Sequence, residues 1–231
     1  MKYFSATKRA AVSFAASLLV PMSPASAELV LSQLGVELQP GKTSRQDIEI
    51  LNGGPEVAYV AVEPREILTP GAAVESARVD PDPEGLGLLV SPARMILEAG
   101  RRKLVRVAAL ATQDRERVYR ITVKPVAGKL PAAEAALKIL IGYDVLVLVR
   151  PTDPRPQVTG VRSKNALTLR NIGNASVELV QGKKCDASGK TCDPLPGGRL
   201  YAGGEKAIAI DSSQRASYML KIGSKLIPKS F

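Results

Sequence analysis

The chain has 231 residues, a formal net charge of +10, 45% hydrophobic and 4% aromatic residues, and neither Trp nor His. That apolar share supplies ample area for a core and excludes wholesale disorder. The missing His excludes any Ser-His-Asp or Cys-His triad and any imidazole-ligated zinc, and two Cys cannot build a four-thiolate site. Composition therefore points away from catalysis and toward binding, with no catalytic residue, cofactor or metal expected.

Lys2, Lys8 and Arg9 make a positive start, residues 10–20 are an apolar run, and Ala25-Ser26-Ala27 follows. This order reads as a signal peptide over residues 1–27, too short in its apolar part to stay as a membrane span. The expectation is an exported, periplasmic protein beginning near Glu28. Removing three positive charges from +10 leaves it at +7, still basic. Basic character suits nucleic acid, an anionic surface or an acidic protein. Lys and Arg are scattered, however, and no common nucleic-acid module is legible, so a nucleic-acid partner is not expected.

From Glu28 onward short strands alternate with turns. Residues 46–51 place Ile48 and Ile50 on one face; residues 57–62 read V-A-Y-V-A-V. Glu63, Glu66, Asp80, Asp82 and Glu84 form an acidic cluster, but Asp-Pro-Asp-Pro-Glu-Gly reads as a turn and nothing in its spacing demands calcium. Residues 104–107 follow a Gly-Arg-Arg-Lys turn, and residues 118–123 alternate as V-Y-R-I-T-V. Residues 132–140 have the Ala and Leu content of a helix, yet their β-branched, alternating continuation predicts a strand. The longest candidate, 136–150, sets Leu137, Ile139, Ile141, Tyr143, Val145, Val147 and Val149 on one face. Such a length is more than twice the common strand. Its apolar start is either an edge that pairs with another chain or a strand buried in its own domain.

Pro151, Pro154 and Pro156 cannot sit in a central strand, so residues 151–156 read as a stiff hinge. Strand pattern restarts at 166–170, 177–180, 206–210 and 218–222. Cys185 and Cys192 close a small turn, as a structural disulfide or, without C-x-x-C spacing, a redox pair. The fold class is all-β, with two β-sandwich domains at 28–150 and 157–231.

Several segments in order carry a likeness: Val90-Ser91-Pro92, Ile96-Leu97-Glu98-Ala99-Gly100, Val105-Arg106-Val107, Asp114-Arg115-Glu116 before Val118-Tyr119-Arg120, the strand ending Val149-Arg150-Pro151, Asn171-Ile172-Gly173-Asn174 and Arg199-Leu200-Tyr201-Ala202-Gly203. Together they resemble the periplasmic chaperones of chaperone–usher pilus assembly, the PapD-like proteins. The resemblance implies two immunoglobulin-like sandwiches in an L-shaped arrangement. It also implies a function: capping pilus subunits that lack their last strand by donor-strand complementation, then delivering them to an outer-membrane usher. Leu137, Ile139 and Ile141 would fill the subunit's groove. An interdomain ion-pair network would join Glu116, Arg150 and Asp211, the last being the least determined. The free protein is expected to self-associate to cover its apolar edge.

The sequence departs from the family at the grip on the subunit's C-terminal carboxylate. Of the two basic residues used there, the late one falls on Leu146, and the first strand, 29–36, has neither Arg nor Lys. Arg120, Lys124 and Lys138 are the candidate carboxylate anchors. Other readings of the chain are a structural two-domain immunoglobulin-like surface module or pilus component, and an exported hydrolase working with carboxylates alone.

Overall fold

Alternating apolar residues bury one face of each strand, and Gly-, Pro- and Asx-rich turns set the strand ends. The structure, a computed structural model, describes residues 29–126 and 140–231. Its first half contains β1 (Leu29–Leu31), β2 (Gly35–Leu38), β3 (Arg45–Asn52), β4 (Ala58–Ile67), β5 (Ala77–Arg78), a short helix α1 (Pro83–Leu86), β6 (Leu88–Ser91), β7 (Arg94–Leu97), β8 (Arg102–Ala109), β9 (Arg117–Pro125) and β10 (Tyr143–Val149). The second contains β11 (Val158–Ser163), β12 (Ala166–Asn171), β13 (Val177–Cys185), β14 (Cys192–Pro194), β15 (Gly198–Leu200), β16 (Glu205–Ala209), β17 (Arg215–Ile222) and β18 (Lys225–Ser230).

Each half is a sandwich. In the first, a sheet ordered β1-β3-β8-β6 faces one ordered β2-β10-β9-β4-β5, with β7 also on β4. Ile48, Ile50, Val105 and Val107 meet Val62, Tyr119, Ile121, Val145 and Val147 in its core. In the second, β11-β12-β16 faces β14-β13-β17-β18, with β15 also on β13. Leu167, Leu169, Val177, Leu179 and Tyr218 fill that core.

The same corner is built twice. Asn52, at the end of β3, donates through Nδ2 to the Glu56 and Leu97 carbonyls, and its Oδ1 accepts from Gly54 N–H. Asn171, at the end of β12, donates likewise to Ala175 and Leu200 and accepts from Gly173. The backbone oxygens of Asn52 and Asn171 take N–H bonds from Gly100 and Gly203. Those glycines have φ of 69° and 77°, a left-handed conformation that a side chain would strain. Both asparagines are buried and satisfied, so each pins two loops to a strand end.

Two expectations change here. The run at 80–85 is not turn alone: Asp82 caps α1, accepting from the Glu84 and Gly85 N–H groups, and Leu86 is buried behind it. The strand expected over 136–150 is described as strand only from Tyr143. Residues 1–28, with the expected signal peptide, and 127–139, with Leu137, Lys138 and Ile139, lie outside the described residues. Cys185 and Cys192 are disulfide-bonded, joining paired positions of β13 and β14.

Candidate functional site

Strand β10 has unequal neighbours on its two sides. It pairs antiparallel with β9 from Tyr143 to Val149, but parallel with β2 only from Leu146 to Val149. Beside Tyr143–Val145 no second neighbour exists among the described residues. Leu146 and Arg150 donate their N–H groups to Leu34 and Leu38 on the β2 side. The strand's two-residue period therefore turns the Asp144 N–H toward the same, open side. Tyr143 closes the end of the sandwich through Oη, which donates to the Leu29 carbonyl at 2.7 Å. Just before it, Ile141 shares the parity of Tyr143 and Val145 yet is 60% exposed. An apolar face thus continues past the core, just before a strand edge that no described residue pairs.

The outer face of the same sheet is layered by the register. Ile67, Val118 and Leu148 form one row, and Tyr201 of the second half packs on them. Arg65, Arg120 and Leu146 form the next row; Glu63, Thr122 and Asp144 form the one beyond. Arg65 donates to both oxygens of Asp144 at 3.0 and 2.9 Å, so its charge is matched. Arg120 stands 3.9 Å from Asp144 and makes no hydrogen bond among the described residues, with its side chain 27% exposed. Arg120 lies directly opposite Leu146, so a cation stands one strand over from the position the family resemblance made basic. Lys124 instead pairs with Glu63 at 2.8 Å on the exposed surface.

Between the halves sits a buried hub. Arg150 donates to Glu116 Oε2, to Glu37 Oε1 at 2.8 Å and to the Ser176 carbonyl at 2.8 Å. Ser176 returns its N–H and its hydroxyl to Glu116 Oε2, each at 3.1 Å. Glu116 N–H donates to the Asn174 carbonyl, while Asn174 Nδ2 holds the Asp114 and Asp153 carbonyls. Asp211 does not enter this network. It is exposed on the turn between β16 and β17, where its N–H meets Gln214 Oε1, and Ser176 and Glu37 surround Arg150 instead. Sequence reasoning missed Ser176, Glu37 and Arg65 and gave Tyr201 no role; the quoted runs Asn171–Asn174 and Arg199–Gly203 marked only the neighbourhood of Ser176 and the position of Tyr201.

The acidic cluster is committed to structure. Glu66 binds Arg117 through both oxygens and Arg78 through one. Burial pushes the Glu66 carboxyl up, but Arg117 and then Arg78 hold it below its ordinary value. No group of three or more acidic or Cys side chains among the described residues is arranged to hold a metal ion.

No family model matches the sequence. The chain is 28% identical over 180 residues to a CS1 fimbrial subunit of Escherichia coli, covering 74% of each. It is 26% identical over 183 residues to a CFA/I fimbrial subunit of the same species, again covering 74% of each. Among solved structures it is similar to the class 5 fimbriae chaperone CfaA, with a TM-score of 0.71 and 19% identity. That match covers 87% of this chain and 98% of the other. It is also similar to the SafA pilin–SafB chaperone complex of Salmonella enterica, with a TM-score of 0.60 and 16% identity, covering 90% and 98%. The fold is that of the fimbrial chaperones of the chaperone–usher type.

Proposed function

We infer that this protein is a non-enzymatic periplasmic chaperone that holds fimbrial subunits by lending them a strand and delivers them to an outer-membrane usher. One observation carries the reading: among the described residues β10 has an unpaired edge at Tyr143–Val145, with the apolar Ile141 exposed on the core parity just before it. An unfinished immunoglobulin-like subunit needs main-chain pairing along such an edge and apolar side chains for its open groove. Leu137, Ile139 and Ile141 supply those side chains, each contributing about 1.5–3 kcal/mol on burial. Arg120, which stands 3.9 Å from Asp144 and makes no hydrogen bond among the described residues, receives the subunit's terminal carboxylate, while Arg65 is held by Asp144. Residues 1–27 are the export signal, 151–156 the hinge, and the lending strand belongs to the domain at 28–150. Without its fimbrial partner the open edge is covered by self-association.

Replacing Ile141 by Glu tests this, because an exposed side chain can be charged without disturbing the fold. The tagged wild type should co-purify from the periplasm with a small fimbrial subunit in stoichiometric amount. The Ile141→Glu variant, equally folded, should lose it. Retention of the same partner by the variant contradicts strand lending, and a wild type that brings down nothing favours the surface-module reading.

A further inference from the structure

Charge divides unequally between the two sandwiches. Residues 28–150 hold sixteen Lys and Arg against sixteen Asp and Glu, a balance of zero. Residues 157–231 hold twelve against five, a balance of +7, which is the whole net charge left once residues 1–27 are removed. Toward any anionic body, the second sandwich therefore leads the approach. Part of its charge is matched internally: Arg170 pairs with Glu205, and Lys221 stands 3.2 Å from Glu178. Lys183 and Lys184 on β13, Arg215 on β17, and Lys225 and Lys229 on β18 form no ion pair among the described residues.

These strands lie side by side in the order β14-β13-β17-β18, which makes β18 an edge. All six of its residues are exposed, Leu226 at 50% and Ile227 at 45%, so the strand overhangs the core. Opposed residues of an antiparallel pair share a face. Across β13, β17 and β18 the outer face thus carries Val180-Met219-Pro228 as one row, with Glu178-Lys221-Leu226 on one side and Lys183-Ser217-Ser230 on the other. Apolar side chains and lysines are interleaved there. The edge itself is blunted against another protein strand. Phe231 donates its N–H to the Ala216 carbonyl, so the two-residue period aims Leu226, Pro228 and Ser230 at the open side. Pro228 has no N–H to offer, and Lys225 and Lys229 flank it, both devices that discourage strand addition. An exposed apolar strand that resists main-chain pairing suits an occupant that needs none, and a bilayer surface is one. Four of the five unmatched cations are lysines, compact charges without the guanidinium fork that reads a shaped carboxylate. Apolar side chains among such charges match the boundary between headgroups and acyl chains.

We propose that β18 and the sheet face beside it dock this protein on an anionic phospholipid surface. Lys183, Arg215, Lys225 and Lys229 lie against headgroup phosphates, and Leu226 and Ile227 enter the interface between them. The site is independent of strand lending: β18 belongs to the other sandwich, and its sheet does not include β10.

Sedimentation of residues 28–231 with vesicles tests this. One set is equal parts phosphatidylethanolamine and phosphatidylglycerol, the other phosphatidylcholine alone. The wild type should pellet with the anionic vesicles and not with the neutral ones. Raising salt from about 0.1 M to about 1 M shortens screening from about 10 Å to about 3 Å and should release it. Lys225→Glu/Lys229→Glu should bind at least about tenfold more weakly, with the milder Lys225→Gln/Lys229→Gln in between. Leu226→Ser/Ile227→Ser, with its charge unchanged, should also bind more weakly. Lys42→Glu/Lys103→Glu makes the same change in net charge at exposed positions of the first sandwich and should bind as the wild type does. If that control loses as much as Lys225→Glu/Lys229→Glu, net charge alone drives binding and the proposal falls. It falls equally if the wild type ignores the anionic vesicles. If Leu226→Ser/Ile227→Ser binds fully and soluble polyaspartate strips the wild type from the vesicles, the surface is one for an acidic protein and the proposal is overturned. Thermal unfolding of every variant should match the wild type, and each should still co-purify with the fimbrial subunit.

Discussion

Replacing Arg150 by Met should be among the most damaging single changes in this protein. Methionine keeps most of the stem volume and removes the cation. Arg150 is 5% exposed and Glu116 is fully buried at the contact. After the change Glu116 Oε2 still accepts from Ser176, but Oε1, without a partner among the described residues, leaves the carboxylate charge uncompensated. Removing one partner of a buried pair costs about 3–5 kcal/mol. The second contact adds little: Glu37 is 46% exposed, and such pairs contribute about 0–1 kcal/mol. For a chain of this size that corresponds to a fall in melting temperature of about 6–20 °C. Urea titration of wild type, Arg150→Met, Glu37→Gln and the double variant Arg150→Met/Glu116→Gln reads the balance. Glu37→Gln should stay within about 1 kcal/mol of wild type, and the double variant should regain most of the loss by removing the stranded charge. Because the hub joins the halves, Arg150→Met should also split one transition into two. A loss under about 1 kcal/mol for Arg150→Met, with a single transition kept, would refute the reasoning.

Three further outcomes follow from the same geometry. Glu66 has its folded-state pKa lowered, so its stabilisation is complete above the unfolded value and is lost as pH falls through the folded one. Glu66→Gln should therefore be less stable at pH 7 and show a flatter decline below about pH 4.5, as read by denaturant titrations across that range. Reducing Cys185–Cys192, which closes a short hairpin, should cost about 2 kcal/mol and affect the second sandwich alone, as seen by amide exchange. Asn52→Ala and Asn171→Ala remove equivalent corners and should each cost about 2–4 kcal/mol, measured by thermal unfolding. A negligible loss for either would show that its corner holds without the side chain.

The sandwiches were legible because two-residue alternation and turn residues are local signals. Gln46-Asp47-Ile48-Glu49-Ile50 declares a half-buried strand without reference to anything distant, and β3 follows it. Arg150 and Glu116 could be singled out through the family resemblance, but their surroundings could not. Ser176 reaches Glu116 across 60 residues and Glu37 reaches Arg150 across 113, and no spacing rule encodes such a meeting. The resemblance asks for a carboxylate there, which is what pointed to Asp211; the fold supplies a serine and a different glutamate. The twin corners lay half in view, as Leu97-Glu98-Ala99-Gly100 and Leu200-Tyr201-Ala202-Gly203. Their equivalence appears only through the bonds of Asn52 and Asn171, since most of the intervening sequence differs. That Arg120 makes no hydrogen bond among the described residues was equally hidden. Whether a surface arginine is matched depends on its neighbours across the sheet, here Arg65 and Asp144, which three different strands bring together.

Strand lending is tested most directly by hydrogen exchange over residues 140–145 in the free protein and in its co-purified fimbrial complex. The Asp144 amide and its neighbours on the open side should exchange quickly when free. They should become strongly protected in the complex, while β9, already paired on both sides, changes little. If a fimbrial partner is bound and residues 140–145 still exchange as in the free protein, the strand is not lent and the contact lies on another surface.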